Sequence, residues 1–209
     1  MYRETGDPES AIWLLGDSNP KSENAEPDAV DPEYPLNPLD SRHPTRHNIW
    51  TPVLDVVQRH LFVARRSRLD DSGLYVRNAV GNPAHRREKE QRSREIAELR
   101  NLLDRYRPPL LVPFAAFAYE FARHSLPGID GVPQSWTVWN VKLLAGQFDE
   151  AISCLTGPDA GGRLESTTVL PLLHAIGARQ FRYCHREFSH GSGNYFEYVG
   201  GRIAAVLIG

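Results

Sequence analysis

At 209 residues with 41% hydrophobic content, the chain can bury a full core and is expected to form a single domain spanning 1–209. Its 24 Lys and Arg are balanced by 26 Asp and Glu, which excludes a global basic field for nucleic acid and leaves only a local patch for that role. Two cysteines outside any CxxC pair exclude a disulfide framework or a four-cysteine cluster and point to a reducing, cytoplasmic setting; no apolar run approaches the roughly 20 residues of a membrane span, and "MYRETGDPES" is polar rather than signal-like.

The first element is the apolar run 11–15, which reads as a buried strand closing on Gly16. A long polar loop over about 19–48 follows, with prolines at 20, 27, 32, 35, 38 and 44. "TPVLDVVQRHLF" reads as a helix, with Thr51 as N-cap and Pro52 in the first turn. Leu74 to Val76 is a second strand leading to Asn78. Ile96, Leu99, Leu102, Leu103 and Tyr106, spaced by three and four, predict a long amphipathic helix over about 93–106, stopped by Pro108 and Pro109.

Further along, 110–112 reads as a strand and about 115–124 as a helix, while "WTVWNVKLL" is ambiguous. Residues 167–176 read as helical despite Pro171, and "RQFRYCH" alternates like a strand over Phe181 to Tyr183, ending in His185. Apolar residues at 195, 199, 203 and 206 close the chain with a helix. Strands alternating with helices imply a three-layer α/β/α sandwich with a mainly parallel central sheet.

In open sheets of this kind ligands bind outside the carboxyl ends of the strands. Those ends carry Gly16, Asp17, Ser18 and Asn19, then Asn78, then His185 with Ser189, His190 and Ser192 close behind. The order of "LLGDSNP", "LYVRNAV", "REIAELRNLLDRYRPPLLVPFAAFAYEFAR" and "CHREFSHGSGNYF" resembles the uracil-DNA glycosylase superfamily from residue 11 onward. That family shares Gly, an acid or Asn, and Pro after strand one, a later strand ending in an Asn that reads the base, and a late His-x-Ser. This chain departs from the pattern in having one more residue before Pro20, so that either Asp17 or Asn19 fits the water-positioning role, and Phe114 after Pro113 where Gly is common. The iron–sulfur cysteines of some branches are absent, and no metal or other cofactor is expected.

The resemblance implies a uracil-DNA glycosylase-like fold and hydrolysis of the N-glycosidic bond of a damaged or modified base. The partner it implies is nucleic acid, DNA before RNA, or a nucleotide; no membrane is involved, and the chain is expected to be a monomer. Such a reaction builds positive charge on the sugar and negative charge on the departing base, so the site needs opposite stabilisation on its two sides. Asp17 or Asn19 would serve the sugar side and the attacking water, Asn78 the base edge, and His185 or His190 the departing base. Gly16, Ser18, Ser189 and Ser192 would line the substrate, and Tyr34 would stack on a flipped base.

Each of these residues also has a plain structural reading. Asp17 and Asn78 could cap turns, and isolated histidines are mostly structural or solvated. The run "HRREKEQRSR" is interspersed with acids and reads as a solvated helix start before it reads as a phosphate patch. Two other functional classes remain. "GDS" at 16–18 also opens the SGNH-type serine esterases, with Ser18 as nucleophile, although those set the nucleophile at a helix start and place Asp three residues before the His. The third class is a catalytically silent relative that binds nucleotides or nucleic acid through the same pocket.

Overall fold

The computed structural model describes residues 4–18, 50–68, 74–127, 139–156, 167–174, 178–192 and 194–208. The candidates Asn19 and Tyr34, and the whole polar loop at about 19–48, lie outside the described residues.

Five strands form one sheet: β1 (Glu4–Gly6), β2 (Ile12–Ser18), β3 (Leu74–Val80), β4 (Leu110–Pro113) and β5 (Thr168–Val169). Their order across the sheet is β1-β3-β2-β4-β5. β2 pairs in parallel with β3 and β4, and β4 with β5, while β1 runs antiparallel to β3. Parallel pairing demands crossovers, and helices supply them.

The helices are α1 (Thr51–Arg65), α2 (Lys89–Tyr106), α3 (Ala115–Ser125), α4 (Val141–Thr156), α5 (Ala178–Phe188) and α6 (Tyr195–Ile208), with a 3-10 turn at Pro83–Arg86. Alternation along β2 sorts them onto two faces. Leu14 joins Val76, Val112, Val53, Phe148, Phe188 and Val199 in one apolar cluster, which holds α1, α4, α5 and α6. Trp13 and Leu15 join Leu111, Ile96, Leu99, Leu103 and Phe121 in the other, which holds α2 and α3. The result is an α/β sandwich with a mostly parallel sheet at its centre. Among the described residues no helix is long and apolar enough to cross a membrane.

The elements form where their sequences favour them. Pro52 occupies the first turn of α1, where its missing N–H costs nothing, and Val53, Val57 and Leu61 recur on the buried face. Trp50 rather than Thr51 occupies the N-cap position. α2 buries Ile96, Leu99 and Leu103 as its spacing predicts, and ends on Arg107 in the left-handed region, φ 46°, before the two prolines. Asn140 caps α4 by accepting the Leu143 N–H at 2.9 Å.

Two of the expected elements are wrong in type. Residues 181–183 are not a strand: 178–188 is helix α5, with Cys184 and Phe188 buried one turn apart and Tyr183 65% exposed. Two-residue alternation over so short a run is outvoted by this four-residue burial period. Nor is the described part of 167–176, residues 167–174, a helix. Thr168, Leu170 and Leu172 donate their N–H groups to β4 and its flanks at 2.8–3.0 Å, so the chain is extended through Leu172. Pro171 falls on the alternate register, where its missing donor faces the free side of an edge strand.

α1 and α6 approach so closely that only glycine fits between them. A Cβ on Gly200 would lie 2.6 Å from the Cβ of Val56 and 2.9 Å from the carbonyl oxygen of Val53. Gly200→Ala is therefore expected to destabilise the fold by about 1–3 kcal/mol through overpacking, measured as a lower urea midpoint at unchanged m-value. An unshifted midpoint would contradict this packing.

Candidate functional site

The four parallel strands run β3-β2-β4-β5 across the sheet, so successive connections leave in opposite directions from β2. The switch point lies between β2 and β4, and sheets of this class bind ligands outside the carboxyl ends of the strands at that point. β2 ends there in Gly16, Asp17 and Ser18. β4 hands over to α3 at Ala115, whose φ of 71° is strained for a residue with a Cβ. The Ala115 N–H donates to the Leu172 carbonyl at 2.7 Å, which ties this corner to the end of β5.

Asp17 is the acid at this edge. Its Oδ2 forms an ion pair with Arg86, while its Oδ1 is buried and accepts no hydrogen bond among the described residues. Burial pushes the carboxyl above its ordinary range, and Arg86 and, more weakly, His174 pull it back. Arg86 arrives because Asn82 caps the 3-10 turn after β3, accepting the Ala84 N–H at 2.9 Å, with Pro83 in its first position. Arg92 on α2 braces the turn by donating to the Arg86 carbonyl at 2.6 Å. Arg86 also donates to the Ser18 hydroxyl at 3.2 Å.

Asn78 is the half-buried residue in an otherwise buried β3 and sits in register with Gly16. A Cβ on residue 16 would lie 2.1 Å from the Asn78 Oδ1, so the glycine makes room for that amide. Gly16→Ala is accordingly expected to leave a cooperative melt in place while displacing the Asn78 side chain, because the clash falls on a side-chain amide rather than on backbone. Thermal melting reads the first outcome and the side-chain amide signals of Asn78 the second, and unshifted amide signals would contradict this packing.

The histidines divide. His190, with φ 49°, pairs through Nε2 with Asp149 at 2.6 Å and packs edge-on against Tyr198, a cluster formed with α4 and α6. His185 lies on α5, its ring 4.6 Å from that of Tyr195 and 5.1 Å from that of Phe196. Burial lowers its pKa to about 4. The Tyr195 hydroxyl in turn accepts the Leu173 N–H at 2.9 Å, so His185 stands behind the extended segment that follows β5. Ser189 donates to the His185 carbonyl at 2.8 Å, and Ser192 is exposed with its N–H on the Ser189 carbonyl.

The structure thus sets Gly16 and Asn78 side by side toward the carboxyl end of the sheet, with Asp17 one residue further along β2 and alternating to the opposite face beside Arg86, and engages His190 elsewhere. Two residues with a stake in that end are missed by the sequence reading. His174 follows the extended segment after β5 and acts electrostatically on Asp17; "TTVLPLLH", read as an edge strand broken by Pro, would have exposed it. Arg86 lies inside a run assigned to a solvated helix start, whereas Asn82-Pro83 after a strand signals a turn first.

Among the described residues no group of three or more His, Cys, Asp or Glu side chains is placed to hold a metal. No family model matches the chain, and no curated protein matches it in sequence.

Proposed function

We propose that this chain is a uracil-DNA glycosylase-like hydrolase that cleaves the N-glycosidic bond between a base and its sugar in nucleic acid. The observation that carries this reading is Asp17: a carboxylate at the end of a central strand beside the switch point, with one oxygen buried and unused by the described residues. A carboxylate that serves only to hold a turn uses its oxygens on nearby N–H groups.

The bond from the anomeric carbon to the base nitrogen breaks, and its electron pair leaves with the base. The electron-poor sugar carbon is stabilised by the Asp17 charge and takes a water oxygen. The proton released by that water is balanced by the proton the free base gains. Asn78, seated in the room that Gly16 leaves, would present its amide to the base edge. His174, in the extended segment that follows β5 and within electrostatic reach of Asp17, would supply positive polarity toward the departing base.

Purified protein should release a base from at least one member of a panel of single- and double-stranded oligonucleotides carrying damaged or modified bases. No release from any member would leave the catalytically silent binding module ahead. The esterase alternative has a separate check. Ser18 is the last residue of strand β2 rather than the first of a helix, and its hydroxyl accepts from Arg86. A fluorophosphonate probe is expected to leave Ser18 unlabelled, and Ser18→Ala should retain base release.

A further inference from the structure

We propose that Arg86 is a phosphate-operated latch on Asp17, so that the site acts on a base whose sugar carries a charged phosphate and stays capped toward an uncharged nucleoside. The catalytic half of this proposal rests on the reading of Asp17 given above; the phosphate-binding half does not.

The backbone of Arg86 is fixed while its side chain has somewhere else to go. Asn82 and Arg92 hold the turn, as described. The guanidinium lies 5.3 Å from the centroid of the Phe117 ring, stacked there by cation–π attraction. One nitrogen, Nη2, contacts both Asp17 and Ser18. Nε is buried and has no hydrogen-bond partner among the described residues. The side chain is still 39% exposed, so an anion can reach it from solvent.

In this state the pair is self-defeating for catalysis. A carboxylate stabilises a cationic sugar by its net charge, and a guanidinium in contact with it cancels most of that field. Arginine's planar fork matches two phosphate oxygens at once, and a phosphate brings charge that the half-buried Asp17 must share with no other ligand. A phosphate next to the target sugar therefore competes for Arg86, and each success frees Asp17 at the moment the substrate is in place. An uncharged nucleoside offers no competitor and meets a neutralised acid.

The test uses the full chain and an abasic decanucleotide with a tetrahydrofuran at its centre, which needs neither a known base nor turnover. The two linkages flanking the abasic position are made either as phosphates or as uncharged methylphosphonates, and dissociation constants are read by fluorescence anisotropy at one fixed salt concentration. Wild type should bind the phosphate form about tenfold or more tightly, and Arg86→Gln should bind the two forms alike. Arg86→Lys, which keeps the charge without the fork, should fall between them. In wild type the Asp17 carboxyl carbon signal should titrate at higher pH with the phosphate form bound than with the methylphosphonate form, because the departing guanidinium no longer favours the carboxylate. A purely structural Arg86 would leave that titration unchanged. Equal binding of both forms by wild type, a preference that survives in cooperatively melting Arg86→Gln, or an unmoved Asp17 titration would overturn the latch. Base release that depends on Asp17 but not on the flanking charge would remove the latch and leave the hydrolase; an Arg86-dependent phosphate preference without base release from any substrate would do the reverse.

Discussion

Asp17→Asn is expected to slow single-turnover base release by on the order of 100- to 10,000-fold while changing substrate binding far less, because the lost charge matters most once the sugar has become cationic. The pH profile of wild type should carry the same signature. Burial raises the Asp17 carboxyl above its ordinary range, and the reactive form is the carboxylate, so the rate should climb with pH through a midpoint displaced upward from that of a solvated aspartate. It should fall away again as acid returns the proton. The Asn variant should lose that limb along with the rate. Full activity in Asp17→Asn would transfer the water-positioning role to Asn19, and an unchanged acid limb would assign the limb to another group.

His185 should make the protein fragile in mild acid. Its folded pKa of about 4 lies below the usual 6.5 because burial beside Tyr195 and Phe196 disfavours the charged ring. Above pH 6.5 the ring is neutral whether the chain is folded or not, and its contribution to stability is intact. Between 6.5 and 4 the unfolded chain binds a proton that the folded chain refuses, so stability is lost progressively over that interval. The full difference is worth roughly 3 kcal/mol, less whatever part of the ring remains in water. Asp17 works in the opposite direction, since its raised folded pKa makes the native state the better proton acceptor. Urea unfolding from pH 7.5 to 4 should therefore be run on wild type and His185→Gln together. The gap between the two curves should change by about 1–2 kcal/mol in favour of the variant as pH falls, the part of the ring still in water reducing the full difference; parallel curves would mean that the ring ionises freely in the fold.

The strands with strong local signals were legible. Ile12 to Leu15, Leu74 to Val76 and Leu110 to Val112 are short apolar runs bounded by turns, and all three lie side by side in the sheet. α2 declared its buried stripe at Ile96, Leu99 and Leu103 for the same reason. What failed was decided by partners distant in sequence. β1 is three polar and small residues, held by antiparallel pairing with β3, with Glu4 bridging Arg77 and the Tyr75 hydroxyl, and nothing in "ETG" announces that. β5 was hidden because Leu170, Leu172 and Leu173 fit a helical stripe as well as an extended one, and only hydrogen bonds to β4 separate the two. α5 was hidden by the chance alternation of aromatic residues in "RQFRYCH".

The candidate site was legible in part for a related reason. Asp17 lies near the end of β2, where the sequence marks a turn, while β3 continues two residues past Asn78 and holds it in register with Gly16. The histidine at issue depends on which segment supplies the fourth parallel strand. Assigning that strand to 181–183 directed attention to His185 and His190, whereas the strand at Thr168–Val169 carries His174 instead. Arg86 was missed because its importance is a matter of where a four-residue turn points, which no periodicity records.

The two outer strands have a bearing on crowding. β1 offers three residues to any newcomer, and one of them is the charged Glu4; β5 offers two, followed by Pro171 with no N–H to give. Recruitment of another chain by continuing a sheet needs a run of open amides on a flat rim. Among the described residues neither rim of this sheet supplies one, so the same proline that disguised a strand in the sequence also makes that rim a poor template for a fibre.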